Sequence, residues 1–137
     1  MVLFEIAKER YKVYALGRDG DDCDLLDFIS SLGPNRQKDG DRLLALLERV
    51  SQNGPPRNTD ISHQIRNEIF EFIQGQLRVL WFYEEGKVIL CTHGFLKRSR
   101  KTPDREISRA DLLRKSYLET KAKGPLMIIE REKKGIP

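Results

Sequence analysis

The chain has 137 residues, of which 39% are hydrophobic and 34% are charged, and this suits one soluble domain over residues 1–137. No apolar run approaches the roughly 20 residues of a membrane helix, and the N-terminus turns acidic at Glu5, so we expect a cytoplasmic protein with neither a secretory signal nor a membrane partner. The net charge of +4 is unevenly distributed: residues 97–137 carry 13 basic and 6 acidic side chains, whereas residues 1–96 carry 12 basic and 15 acidic side chains. A localised basic segment is typical of a protein that binds a polyanion. A solvated basic helix without a ligand would show the same pattern.

The N-terminal part of the chain predicts a strand followed by a helical hairpin. Residues 3–16 mix β-branched, aromatic and charged side chains, which indicates at least one strand. Asp24 is a suitable N-cap for a first helix, which stops at Gly33. A second helix with a wide apolar stripe ends near Asn53, where Gly54 suits a C-cap.

The rest of the chain predicts a meander and a C-terminal helix. Three runs rich in strand formers, residues 69–73, 77–83 and 88–95, are joined by short turns and indicate an antiparallel sheet. Thr102 as N-cap and the proline after it begin a helix that ends at Gly124, and residues from about 126 form a tail or an extra strand. These elements predict an α+β fold in which the helices cover one face of an antiparallel sheet.

The sequence contains no motif for several common kinds of metal, phosphate-binding or catalytic site. The two histidines are thirty residues apart and lack neighbouring ligands at zinc-binding spacing. The glycine-rich phosphate loops and the nucleophile elbow of hydrolases are also missing. We therefore expect no cofactor and no metal, although a two-carboxylate magnesium site stays open at this point.

A set of basic residues near the meander is the main candidate site. If the runs 77–83 and 88–95 pair through residues 84–87, Arg78 falls opposite residues 93–95. Several basic side chains then converge at one end of the sheet. Cleavage of RNA through the 2′-hydroxyl needs a proton acceptor, a proton donor and positive charge for the phosphorane, but no metal. The candidate catalytic residues are Arg78, Lys97, Arg98 and His93, and the candidate RNA-binding residues are Arg100, Lys101 and Tyr117.

Each of these residues also has a structural interpretation that stays open. Arg78 can instead hold a carboxylate such as Glu71 across the strands, and His93 can be a hydrogen-bonded strand histidine. Residues 97–101 can be a solvated connection, and Tyr117 can lie at the edge of the core.

The motifs around the meander resemble those of a known family. The chain reads R-V-L-W-F from Arg78, H-G-F-L-K-R from His93 and K-T-P-D-R-E-I from Lys101. This order resembles the phage-derived HigB-type branch of the RelE/ParE toxin superfamily over roughly residues 11–118. The resemblance implies a RelE-like α+β fold shared with microbial ribonucleases, messenger-RNA cleavage at the ribosome, and a cognate antitoxin that is often a helix-turn-helix protein.

The resemblance also assigns roles by position and shows one departure. Arg78 matches a strand arginine that RelE-type toxins use on the scissile phosphate, and Lys97 and Arg98 match a basic pair after the last core strand. RelE carries two lysines on the strand before that arginine, whereas residues 69–73 of this chain have none. For the general base and acid, Lys97, Lys101 and His93 remain candidates. Two other functions stay open: a ParE-like poison of DNA gyrase, and a non-catalytic basic module that binds nucleic acid or the ribosome.

Overall fold

A mixed seven-stranded sheet forms the centre of the computed structural model, which describes residues 1–18 and 22–131. The strands are β1 (Val2–Lys8), β2 (Lys12–Gly17), β3 (Ser62–Arg66), β4 (Ile69–Gln74), β5 (Leu77–Glu84), β6 (Val88–Leu96) and β7 (Ile128–Ile129), and the helices are α1 (Asp24–Ser30), α2 (Gln37–Asn53) and α3 (Asp104–Lys123). A 3₁₀ turn at Pro34–Arg36 joins α1 to α2. None of the described helices combines the length and the apolar content that a membrane span requires.

The sheet is only partly antiparallel. The strands follow the order β3-β4-β5-β6-β2-β1-β7, and the antiparallel pairing of β4, β5 and β6 confirms the predicted meander. The prediction of a purely antiparallel sheet is wrong, because β2 runs parallel to β6 and β7 runs parallel to β1. Five of the six residues of β2 are buried, and a strand that is covered on both faces suits such a central parallel position.

The helices cover both faces of the sheet, not one as predicted. On β5, Leu77, Val79 and Trp81 belong to the core beneath α1 and α2. Leu80 and Phe82 belong to a second core beneath α3. A strand whose successive side chains are nearly all apolar has two faces to bury, and each face needs its own layer of helices.

The connection from β6 to α3 places the basic segment, residues 97–101, beside the outer strands β3 and β4. The predicted N-cap, Thr102, does not cap α3, since Pro103 occupies the N-cap position and the helix begins at Asp104. The Thr102 hydroxyl instead donates a hydrogen bond of 2.6 Å to Glu71 on β4. This bond ties residues 97–103 to the face of the sheet that α3 covers.

Candidate nucleic-acid interface

A groove lies between strands β3 and β4, the β6–α3 connection and the first turn of α3. Its volume is about 510 Å³, which is within the range of pockets that hold small ligands. The groove is open on one side and is lined by side chains of both charge signs. They are His63, Gln64, Ile65, Arg66, Glu71, Lys97, Arg100, Lys101, Thr102, Asp104 and Ile107.

A buried carboxylate, that of Glu71, lies in this groove with only 1% of its surface exposed. Cross-strand register places His63 of β3 directly opposite Glu71. Glu71 Oε2 accepts the hydrogen bond from Thr102, and Oε1 lies 3.3 Å from His63 Nε2 and 3.8 Å from Arg78 Nε. A carboxylate that loses its hydration must be paired or hydrogen-bonded, and these three neighbours satisfy that requirement.

Arg78 supports Glu71 from the neighbouring strand and does not line the groove. Its Nη1 donates to the carbonyl oxygens of Gly75, at 2.6 Å, and Leu77, at 3.0 Å. Its Nε is buried without a hydrogen-bond partner, and 11% of the side chain is exposed. Burial lowers the pKa of Arg78, and the charge of Glu71 partly opposes this shift. The structure thus includes the cross-strand Arg78–Glu71 contact that the sequence left open as an alternative.

The basic segment supplies the positive charge of the groove. Lys97 is half-buried, and its backbone N–H donates to the carbonyl of Gln76 at 2.9 Å, which fixes the start of the segment against β5. Arg100 and Lys101 are exposed and line the outer part of the groove. The structure therefore brings Lys97, Arg100 and Lys101 together on the side of the sheet that carries Glu71.

His93 lies in the core beneath α3 and does not line the groove. It is 1% exposed; its Nδ1 lies 3.0 Å from Thr92 Oγ1 and its Nε2 lies 3.1 Å from a carboxylate oxygen of Glu106. Burial, and after it the positive charge of Arg109, lowers the pKa of His93. Its two ring nitrogens already face partners within the protein.

Tyr117 and Arg98 also lie apart from the residues that line the groove. Tyr117 is 4% exposed, and its hydroxyl donates to Glu84 at 2.8 Å. Burial and this hydrogen bond raise the pKa of Tyr117 above its ordinary value. Arg98 is exposed next to Lys97. Of the seven candidate residues, three line the groove and one, Arg78, stands behind its carboxylate.

Sequence reasoning missed His63 and Glu71 as site residues. Glu71 could have been found, because a single carboxylate in the apolar run 69–73 must be paired once the strand is buried. His63 lies on β3, whose sequence contains only one β-branched residue, Ile65, and was not predicted as a strand. Its pairing with Glu71 depends on a register that the residues of β3 alone do not reveal.

The groove combines groups that bind anions with groups that move protons. Ammonium and guanidinium groups attract phosphate, and an imidazole beside a carboxylate is a common means of proton transfer. Within residues 1–18 and 22–131, no three histidine, cysteine, aspartate or glutamate side chains cluster in a way that could hold a metal ion. The lining residues themselves offer ionic binding and acid–base transfer.

Comparison with known proteins identifies one family. The family model described as "Phage derived protein Gp49-like (DUF891)" matches residues 27–115, which is more than half of the chain. This family is toxin-like and is related to RelE- and HigB-type toxins. The matched region contains every residue that lines the groove. None of the curated proteins compared with the chain matches it.

Proposed function

The chain belongs to the phage-derived Gp49-like family, and on that premise we propose that it is the toxin of a type II toxin–antitoxin pair, a RelE-like endoribonuclease that cuts messenger RNA on the ribosome without a metal. The observation that carries this proposal is the groove in which Lys97, Arg100 and Lys101 stand beside the buried carboxylate of Glu71. The relation of the family to RelE- and HigB-type toxins supports the biological role.

The basic side chains of the groove suit a single RNA strand. Contacts from lysine and arginine to phosphates supply affinity that does not depend on sequence. Lys97 is half-buried, so its charge is screened less by salt than that of an exposed lysine. Positive groups that are already in place when charge develops on the phosphorane stabilise the transition state. Arg78 contributes by holding Glu71.

The charge distribution also suits a neutralising partner. A cognate antitoxin with an acidic surface, of the helix-turn-helix type, would bind a chain whose positive charge is concentrated in residues 97–137. Attraction between opposite charges speeds such an encounter and makes it sensitive to salt. The binding of an acidic segment over Lys97, Arg100 and Lys101 would keep RNA out of the groove.

Expression of the chain alone in bacteria tests the proposed function. We expect growth arrest, a rapid stop in translation, and messenger RNAs cut within codons, with 2′,3′-cyclic phosphate and 5′-hydroxyl ends. Filamentation with DNA damage and intact messenger RNA would indicate a gyrase poison and refute the proposal. Unchanged growth together with binding to ribosomes would indicate a non-catalytic module and would refute it equally.

Substitutions in the site give the second arm of this test. We expect Lys97→Ala to lower the cleavage rate on translating ribosomes by about 100-fold, the typical loss when one group that stabilises a developing oxyanion is removed. We expect Arg78→Ala to lower the rate as well, because the buried carboxylate of Glu71 then loses the cation that lies 3.8 Å from it. The matched control is Lys38→Ala, an exposed residue of α2 on the other side of the sheet. If both site variants fold and remain as toxic as the control, the groove is not the site of cleavage.

A further inference from the structure

A row of aromatic side chains lies on the face of the sheet that α1 and α2 cover, opposite the groove, and has no role in the site described above. The buried Trp81 stacks on Phe70 and on Phe72, with ring centroids 4.7 and 4.6 Å apart. The ring of Tyr83 stands almost at right angles to this stack, 5.2 Å from Phe70 and 4.8 Å from Trp81. Tyr83 itself is 48% exposed, so the row ends in a ring that a ligand can reach.

Tyr11 and Lys87 continue this row towards the end of α2. The Lys87 ammonium lies 5.9 Å from the centroid of the Tyr11 ring, which is within cation–π distance. Burial, and after it the neighbouring Tyr11 hydroxyl, raises the pKa of Tyr83, so the two phenol rings lie near each other. The backbone N–H of Tyr11 donates to the Ser51 carbonyl at 2.8 Å, and the Ser51 hydroxyl donates to the Tyr11 carbonyl at 3.0 Å. These two bonds to α2 hold Tyr11 in place.

An open cavity adjoins Tyr11 at the end of α2. Its volume is about 330 Å³, and it is lined by Arg49, Asn53, Gly54, Pro55, Pro56 and Arg57. Gly54 has a φ of 83°, and a Cβ atom at this position would lie 3.0 Å from the Tyr11 ring, so the cavity wall packs directly against that ring. The exposed rings, Lys87 and the cavity therefore form one continuous surface, which we call the aromatic–arginine surface.

The three cations of the aromatic–arginine surface are not neutralised by the protein. Within residues 1–18 and 22–131, no acidic side chain lies within ion-pair distance of Arg49, Arg57 or Lys87. Of the acids next to Lys87 in sequence, Glu84 is paired with a lysine of α3, and Glu85 is exposed. The surface thus carries net positive charge, although it belongs to the part of the chain, residues 1–96, in which acidic residues outnumber basic ones.

We propose that the aromatic–arginine surface is a second binding site of this protein and takes a single strand of nucleic acid. One base stacks on the exposed ring of Tyr83, and the phosphates on either side of it bind Lys87, Arg49 and Arg57. Stacking on an aromatic ring suits every base, and cations beside the ring supply affinity that does not depend on sequence. This site goes beyond the proposed function, and it does not require that the groove cut RNA.

The charges favour a nucleic acid over an apolar protein as the occupant. An apolar partner packed on the row would remove water from three unpaired cations without compensation, which is costly. Phosphates pair with guanidinium and ammonium groups, and a base offers a flat face to the ring of Tyr83. Because the groove lies on the other face of the sheet, this surface contributes binding and takes no part in cleavage.

Fluorescence anisotropy with labelled oligouridylate and oligothymidylate strands of about ten nucleotides tests the proposal; a preference for either strand identifies the ligand as RNA or as DNA. We expect Tyr83→Thr to weaken binding by about tenfold, the contribution of one stacked base, whereas Tyr83→Phe keeps the ring and should bind within about twofold of the natural chain. The double variant Arg49→Ala with Arg57→Ala should reduce the slope of log affinity against log salt by about 1.4, since two phosphate contacts are lost. Arg42→Ala, at another exposed arginine of α2, is the matched control and should change neither quantity. A folded Tyr83→Thr variant that binds both strands as tightly as the natural chain would overturn the proposal.

Photochemical cross-linking separates this surface from the groove. A strand that carries 5-iodouracil should attach to Tyr83 or Tyr11 on irradiation, as peptide mapping by mass spectrometry reveals, and it should do so in Lys97→Ala as well as in the natural chain. Cross-links confined to residues 97–101 would overturn the proposal. A dimer in sedimentation that Tyr83→Thr converts into a monomer would identify an interface between copies of this chain and overturn it equally. Neither measurement uses cleavage, so a failure of the proposed function to appear in bacteria leaves this test intact.

Discussion

Replacement of Thr102 by valine should reveal how strongly the groove depends on its buried carboxylate. The hydroxyl of Thr102 donates to Glu71 at 2.6 Å, which is the length of a strong O–H···O⁻ bond. Valine keeps the shape of the side chain but removes the donor, and Glu71, at 1% exposure, cannot recover the bond from bulk water. A lost hydrogen bond to a charged group corresponds to about 1.5–3 kcal/mol of unfolding free energy. For a chain of this length, that loss lowers the melting temperature by roughly 5–15 °C.

Thermal and urea unfolding followed by circular dichroism measure this change. Thr102→Ser retains the hydroxyl and is the control, so it should melt close to the natural chain. A double-mutant cycle with Glu71→Gln should give a coupling of about 0.5–3 kcal/mol, as expected for residues in direct contact. If Thr102→Val unfolds at the same temperature and urea concentration as Thr102→Ser, the hydrogen bond does not hold the carboxylate and the account of the groove is wrong.

Three further predictions concern the core beneath α3 and the packing of α1. Tyr117→Phe should lose about 1.5 kcal/mol of stability with the hydrogen bond to Glu84 yet remain toxic; a folded variant without toxicity would instead place Tyr117 in the RNA site. Gly94→Ala should destabilise the protein by about 1–3 kcal/mol, because its new Cβ would lie 2.5 Å from a ring carbon of Phe28; urea unfolding checks this, and an unchanged midpoint contradicts it. Burial lowers the pKa of His93 from 6.5, so the unfolded chain binds the proton more readily and the unfolding free energy should fall as the pH drops below that value. Unfolding measured at several pH values should show that the unfolding free energy of His93→Gln depends less steeply on pH.

The sequence was informative where neighbouring side chains determine the structure. The strand-forming residue types of β5 and the short connection at residues 84–87 predict the register, and Arg78 does pair opposite Phe95, within the predicted range 93–95. The same register explains why Arg78 and the start of the basic segment share one end of the sheet. Local pattern and turn length are sufficient for a hairpin, because its two strands are close in the chain.

Features that depend on distant contacts were not predictable in this way. The parallel pairing of β2 with β6 joins residues that are more than seventy positions apart, and no local pattern encodes it. His93 carries the residue type expected of a catalytic group, but only the placement of α3 shows that Glu106 covers it. The helices on both faces were within reach, since the nearly continuous apolar run of β5 already indicates a strand buried on two sides.

The family model matches only part of the seven-stranded sheet. The match begins at residue 27, beyond β2, although β2 lies between β6 and β1 inside the sheet. A fragment limited to residues 27–115 would leave β6, nine residues long and largely buried, as a bare sheet edge. Exposed apolar edges of that length pair with other chains and lead to aggregation. The matched segment therefore contains only part of the sheet, and a transplant of this module into another protein should include the N-terminal hairpin.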